Sequence, residues 1–155
     1  MIKLFATDVD GTLTDGCMYY AENGLELKKF NFRDGMGFKL LRESGIKTVI
    51  ITSENTSIVK KRAEKLKVDY LSMGNLDKLS YFKKLSNELG ISLSDVAYIG
   101  DDINDIELLK AVGYSACPAD AHKSVTKIPH IRVLSQCGGH GAVREFVDIL
   151  LNEKL

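Results

Sequence analysis

Ile2-Lys3-Leu4-Phe5-Ala6-Thr7-Asp8-Val9-Asp10-Gly11-Thr12 decides the fold: a strand-like run passes directly into a polar turn carrying two aspartates two positions apart. Five further runs of the same kind follow, Lys47 to Thr52, Asp69 to Ser72, Val96 to Ile99, Tyr114 to Cys117 and His130 to Leu134. They read as buried parallel strands. Between them, Gly37 to Glu43, Ser57 to Leu66, Lys78 to Leu89, Asp105 to Ala111 and Ala142 to Leu151 carry apolar residues at three- and four-residue spacing. That is the pattern of helices packed on a sheet. Gly45, Gly90 and Gly113 follow the first, third and fourth of these helices, where a left-handed C-terminal cap is wanted. The alternation predicts an α/β fold, a Rossmann-like doubly wound parallel sheet. With no internal repeat, low-complexity tract or linker, residues 1–155 are expected to form a single domain.

One segment breaks the alternation. Cys17-Met18-Tyr19-Tyr20 and Leu25-Glu26-Leu27-Lys28-Lys29-Phe30 flank Ala21-Glu22-Asn23-Gly24, and Asn-Gly between two strand-like runs signals a β-hairpin. It is either a flap or an extension of the sheet, and Met18, Tyr19, Tyr20 and Phe30 give it apolar surface to bury.

At 155 residues the chain has enough apolar content for one core but no room for a separate substrate-covering domain. A lid would have to come from elsewhere. The 21 basic residues balance the 21 acidic ones, so neither nucleic acid nor an anionic membrane is expected as a partner. Cys17, Cys117 and Cys137 are widely spaced, suit a reducing compartment, and are expected as small apolar filler. No apolar run approaches the span of a bilayer, and Met1-Ile2-Lys3-Leu4 enters structure with no signal peptide, so a cytoplasmic protein is expected.

In open α/β sheets ligands bind beyond the carboxyl ends of the strands. The polar residues at those ends are Asp8-Val9-Asp10-Gly11-Thr12 after the first strand, Thr52-Ser53-Glu54 after the second, and Gly100-Asp101-Asp102-Ile103-Asn104-Asp105 after the fourth, while Lys78 opens the helix following the third. Asp8, Asp10 and Asp101 would repel one another unless a hard cation lay between them, which points to Mg²⁺. One carboxylate can attack phosphorus while a second, two residues on and facing the same side, protonates the leaving alkoxide and later deprotonates water. Thr52 and nearby amides can hold phosphoryl oxygens, and Lys78 can neutralise the charge gathering on them. Each piece alone also reads as a turn or a helix cap. All four in this order point to phosphoryl transfer through an aspartyl-phosphate.

Asp8-Val-Asp-Gly-Thr-Leu-Thr, Thr52, Lys78 and Gly100-Asp-Asp-x-x-Asp105 resemble the four motifs of the haloacid dehalogenase (HAD) superfamily of phosphatases, over essentially the whole chain. The hairpin after the first motif, Phe30-Asn31-Phe32-Arg33-Asp34-Gly35 and Gly138-Gly139-His140-Gly141-Ala142-Val143-Arg144-Glu145 narrow the resemblance. They resemble the capless branch acting on phosphorylated 2-keto-3-deoxy sugar acids, either octulosonate (KDO) 8-phosphates or nonulosonate (sialic acid or KDN) 9-phosphates. The resemblance implies Asp8 as nucleophile and Asp10 as general acid/base. It implies Mg²⁺ on Asp8, the Asp10 carbonyl and Asp101, with Asp102 and Asp105 behind them. It also implies a homotetramer in which the hairpin and the Gly138–Arg144 segment of neighbouring subunits close the site.

Octulosonate enzymes usually carry Thr-Gly-Arg where this chain has Thr52-Ser53-Glu54, and Arg where it has Lys39, so the resemblance favours the nonulosonate branch. Glu54 would accept from sugar hydroxyls, and Arg62 and Lys65, on one helical face, would reach the substrate carboxylate. Ser53, Asn31, Arg33 and Asp34 complete the expected substrate contacts, while Lys60, Lys61 and Lys67 read as a solvated face. The glycines of Gly138–Gly141 are expected to let backbone approach a neighbouring subunit, with His140 either touching a neighbour's substrate or exposed on a loop. His122 and His130 read as structural. Two rivals are a non-catalytic oligomerisation module and a phosphorelay receiver. The receiver's acid pair comes first in its chain, whereas here the pair Asp101-Asp102 comes late.

Overall fold

The structure is a computed structural model and describes residues 1–152. β1 (Leu4–Thr7) is wholly buried, and its residues alternate between two cores. Leu4 and Ala6 join Val49, Ile51, Val96 and Tyr98 on one face of the sheet, while Phe5 joins Ile50, Ala97 and Ile99 on the other. A central strand covered on both faces is largely apolar, as Leu4, Phe5 and Ala6 are here.

The chain continues through a two-stranded hairpin, β2 (Tyr19–Tyr20) and β3 (Glu26–Leu27), to α1 (Phe32–Glu43), β4 (Lys47–Ile51), α2 (Ser57–Leu66) and β5 (Tyr70–Ser72). Then come α3 (Lys78–Leu89), β6 (Val96–Ile99), α4 (Ile106–Ala111), β7 (Tyr114–Cys117), the short α5 (Lys123–Thr126), β8 (Arg132–Val133) and α6 (Ala142–Asn152). Six strands form a parallel sheet in the order β5-β4-β1-β6-β7-β8. From β1 the chain moves outward to β4 and β5, and from β6 it moves the other way to β7 and β8. The order therefore reverses between β1 and β6, and such a switch point opens a crevice at the strand ends.

α1, α2 and α6 cover the Phe5 face, where Phe5 meets Phe38 edge-on at 6.1 Å and Phe146 at 5.9 Å between ring centroids. α3, α4 and α5 cover the other face, where Phe82 lies 6.1 Å from Tyr98. No helix among the described residues is long and apolar enough to cross a membrane.

Several boundaries differ from the sequence expectation for identifiable reasons. α1 begins at Phe32 rather than Gly37, because Asn31 caps it: its side-chain oxygen accepts from the Arg33 amide at 2.8 Å. Gly37 lies inside the helix facing α6, where a Cβ would stand in van der Waals contact with Val147, 3.4 Å away. Gly113 is not a left-handed cap; a Cβ on it would lie 2.0 Å from the Ser94 carbonyl oxygen. Cys117 is buried filler, whereas Cys17 is exposed, and all three thiols are free. Gly138 and Gly139 approach this chain's own backbone: added Cβ atoms would lie 1.9 Å from the Gly11 oxygen and 2.4 Å from the Asp15 nitrogen. They let the late segment seat against the first loop of the same chain.

Candidate active site

The cleft lies at the β1/β6 switch point. The Asp8 amide donates to the Ile99 carbonyl at 3.0 Å, carrying the ladder one residue past β1 and fixing the Asp8 side chain at the sheet edge. Gly11 has φ +86°, and a Cβ on it would lie 2.0 Å from Asp101 Oδ2, so only glycine lets the first loop turn beneath that carboxylate. Thr12 Oγ1 donates to Asp101 Oδ1 at 3.2 Å from the same loop.

Lys78 enters from the first turn of α3 with its side chain 1% exposed. Its Nζ donates to Asp8 Oδ1 at 2.7 Å and to Asp105 Oδ1 at 2.6 Å, and Tyr98 OH, 3.4 Å away, donates to Asp105 Oδ1 at 2.5 Å. Asp105 Oδ2 accepts from the amides of Asp101 and Asp102 at 2.9 and 3.2 Å. Asp105 is thus fully occupied as the anchor of the lysine and of the Asp101 loop.

Asp8, Asp101 and Asp105 bring carboxylate oxygens within 4.8 Å of one another. Burial, then the charge of Asp105, pushes Asp8 up to about 7 against the pull of Lys78, and burial with the charges of Asp8 and Asp105 pushes Asp101 up to about 8. Because Asp105 is spent, Asp8 and Asp101 are the carboxylates left for a cation. Two crowded hard oxygen donors of like charge at an open cleft fit Mg²⁺.

Asp8, Asp10, Thr52, Ser53, Glu54, Asp101, Asp102 and Asn104 line a cleft of about 200 Å³. Thr52 Oγ1 accepts from the Glu54 amide at 3.1 Å, which sets the turn after β4, and Asn104 Nδ2 donates to Ser53 Oγ at 3.1 Å, tying that turn to the Asp101 loop. Lys28 and Tyr98 were not singled out by sequence. Lys28 contacts residues 18 and 26 positions away, which no local spacing reveals, and Tyr98 reads as core.

The remaining expected contacts lie elsewhere. Asn31 Nδ2 donates to the Gly139 carbonyl at 3.2 Å, and Arg33 lines a separate groove with His140 and Arg144. Arg62 stacks over the Phe30 ring at 5.2 Å and donates to the Asn31 carbonyl at 3.1 Å. With Lys65 it lines a groove between α1 and α2 that shares no residue with the cleft. Neither side chain lines the cleft itself.

Asp34 is a correction of another kind: it is 0% exposed, and its Oδ1 accepts from the Arg144 amide at 2.9 Å, tying α1 to the start of α6. Its Oδ2 is buried with no hydrogen-bond partner among the described residues. Burial raises this carboxyl from 3.8 to about 6. Between those values the folded chain keeps a proton that the unfolded chain has released, so this group's contribution to stability falls as pH rises across the window and levels off above it. The loss is at most ~3 kcal/mol. Asp34→Asn keeps the Oδ1 acceptor and should flatten the stability curve between about pH 4 and pH 6; equal slopes in variant and parent chain would refute this assignment.

A family described as haloacid dehalogenase-like hydrolase matches residues 70–141. The 3-deoxy-D-manno-octulosonate 8-phosphate phosphatase KdsC of Escherichia coli (strain K12) is 42% identical over 151 residues, covering 97% of this chain and 79% of that protein. The phosphatase of the same name from Yersinia pestis is 41% identical over 150 residues, with 97% and 80% covered. Among solved structures, a probable yrbi family phosphatase from Pseudomonas syringae superimposes with TM-score 0.94 at 42% identity, covering 97% of this chain and 85% of that one. A 3-deoxy-D-manno-octulosonate 8-phosphate phosphatase from Moraxella catarrhalis, in complex with magnesium ion, phosphate ion and KDO, gives 0.93 at 38% identity, covering 97% and 86%.

Proposed function

The chain belongs to the haloacid dehalogenase-like hydrolases and is a phosphatase, and we propose that it removes the terminal phosphate of a 2-keto-3-deoxy sugar acid, 3-deoxy-D-manno-octulosonate 8-phosphate being the substrate its relatives favour. The observation that carries this reading is Asp8 held at Oδ1 by a buried lysine while Asp10 lines the same cleft two residues on. Asp8 attacks phosphorus and the bond to the sugar oxygen breaks as Asp10 gives that oxygen a proton. Asp10 then takes a proton from water, which attacks the aspartyl-phosphate and frees Asp8 and inorganic phosphate. Thr52 and the turn it organises face the phosphoryl oxygens, and Lys78 offsets the charge gathering on them. Asp8, the Asp10 carbonyl and Asp101 would hold Mg²⁺, which would supply positive charge against the phosphate.

Glu54 supports a second reading. It lines the cleft with its carboxylate at the mouth, where a hydroxyl-rich sugar would meet an acceptor, and by resemblance a Glu here belongs with nonulosonate 9-phosphates.

The cleft is smaller than the roughly 300–1,000 Å³ usual for ligand pockets, so one subunit encloses the phosphate end and leaves the sugar open. Met18 and Tyr20 of the flap are each 61% exposed, and Leu27 is 54% exposed. Such a surface suits burial against further copies of this single-domain chain, and the family resemblance makes a homotetramer the assembly we propose.

The test is kcat/KM for the eight- and nine-carbon phosphates, measured on material whose mass is fixed by sedimentation velocity. A preference for the eight-carbon substrate supports the first reading and a preference for the nine-carbon substrate the second. Release of phosphate from neither overturns both, and a fully active 17.2 kDa monomer overturns the assembly.

A further inference from the structure

Leu27 and Lys29 of the flap point outward, each more than half exposed, so alternation turns Glu26 and Lys28 inward. The Lys28 side chain is 4% exposed although it belongs to a surface flap. Its Nζ lies 2.5 Å from Asp10 Oδ1, 2.9 Å from Glu54 Oε2 and 3.4 Å from Glu26 Oε1. Two of the ammonium's three donors are hydrogen-bonded, to Asp10 and to Glu54, while Glu26 is an ion-pair neighbour that makes no hydrogen bond to it. The flap holds this position because its base is tied to the first loop. Thr14 pairs with Phe30 across the chain, and Tyr19 OH donates to Asp15 Oδ2 at 2.6 Å.

Among the described residues, the Asp10 side chain has no other hydrogen-bond partner. Its side chain is 36% exposed, and Oδ2 accepts no hydrogen bond from the described residues. A carboxylate that must meet a leaving oxygen within hydrogen-bond reach gains from having one rotamer fixed. We propose that Lys28 is the positioning residue for Asp10: the flap lysine holds Oδ1 so that Oδ2 faces the leaving oxygen, and it draws Glu54 aside from the incoming phosphate. This rests on the phosphatase reading above and extends it, because flap placement then sets leaving-group protonation as well as access.

The experiment compares an alkyl phosphate, the preferred sugar-acid phosphate, with para-nitrophenyl phosphate. Para-nitrophenolate departs without a proton, so kcat/KM for that substrate does not depend on Asp10, whereas an alkoxide needs the proton. General acid catalysis supplies about 10²–10⁴-fold, and loss of positioning forfeits part of it. In Lys28→Met, kcat/KM for the alkyl substrate should fall about 30-fold and for the aryl substrate no more than about 3-fold, with Asp10→Asn giving the same asymmetry more strongly. Lys28→Arg should recover most of the alkyl activity. The ratio between substrates is independent of the folded fraction, so a destabilised variant still answers the question. Equal losses on both substrates, or none on either, overturn the proposal; a parent enzyme inactive on every sugar-acid phosphate overturns the phosphatase reading instead.

Discussion

Asp8→Asn eliminates phosphate release, with a fall in kcat/KM of at least about 10⁴-fold, or roughly 5 kcal/mol of transition-state stabilisation. The amide has no electron pair comparable to the carboxylate's for attack on phosphorus, so no aspartyl-phosphate forms and nothing downstream compensates. The same substitution should leave the fold intact. The Asn side-chain oxygen can still accept from Lys78 Nζ, now 2.7 Å from Asp8 Oδ1, and Asp105 keeps its own bond to the lysine. It also removes one of three crowded like charges, those of Asp8, Asp101 and Asp105. In the presence of a chelator, the thermal midpoint of Asp8→Asn should therefore equal or exceed that of the parent chain. Phosphate assays and thermal melts on the same preparation check both halves. Full turnover in the variant removes Asp8 as nucleophile, while a collapsed melt would mean that its charge, rather than its reach, holds the loop. A parent chain that releases no phosphate at all returns the assembly-module reading.

Much of this site is legible in the sequence because its parts lie at strand ends. Asp8, Thr52 and Asp101 follow strands whose apolar runs are unambiguous, and Lys78 opens a helix capped by Asp77. Helices α2 and α3 match the periodicity to the residue, since nothing in them competes with the apolar stripe. The reading fails where a cap or a tertiary contact overrides local pattern. Gly35 argues locally against a helix, yet α1 runs through it from Phe32, because Asn31 caps the helix ahead of its expected start at Gly37. Asp34 stands next to plausible substrate residues but points inward to cap α6, and Arg62 is taken up by Phe30. Lys28 is the opposite failure. Its chemistry depends on a hairpin folding back over the sheet edge, and a lysine in a surface strand otherwise reads as solvated.

Lys78→Met should lose both activity and stability, and the two losses separate. The buried ammonium is the counter-charge for Asp8 and Asp105, so removing it leaves those buried carboxylates without a counter-charge at a cost of about 3–5 kcal/mol. For a chain of this size that is a fall in thermal midpoint on the order of 10 °C. Activity should fall at least about 10²-fold, because charge on the phosphoryl oxygens is no longer offset. The stability gap should widen as pH rises. Unpaired buried carboxyls titrate above their ordinary range and can take protons at low pH, and a neutral acid needs no counter-ion; as pH rises they must ionise without one. Adding Asp105→Asn to Lys78→Met removes one orphaned charge while leaving an acceptor for the amides of Asp101 and Asp102, whose bonds to Asp105 are 2.9 and 3.2 Å. The double variant should regain a large part of the lost midpoint and none of the lost rate. A thermal midpoint unchanged in Lys78→Met would mean the buried pair contributes nothing to stability. Activity recovering along with stability in the double variant would mean the lysine serves the fold alone, and the charge at phosphorus is balanced without it.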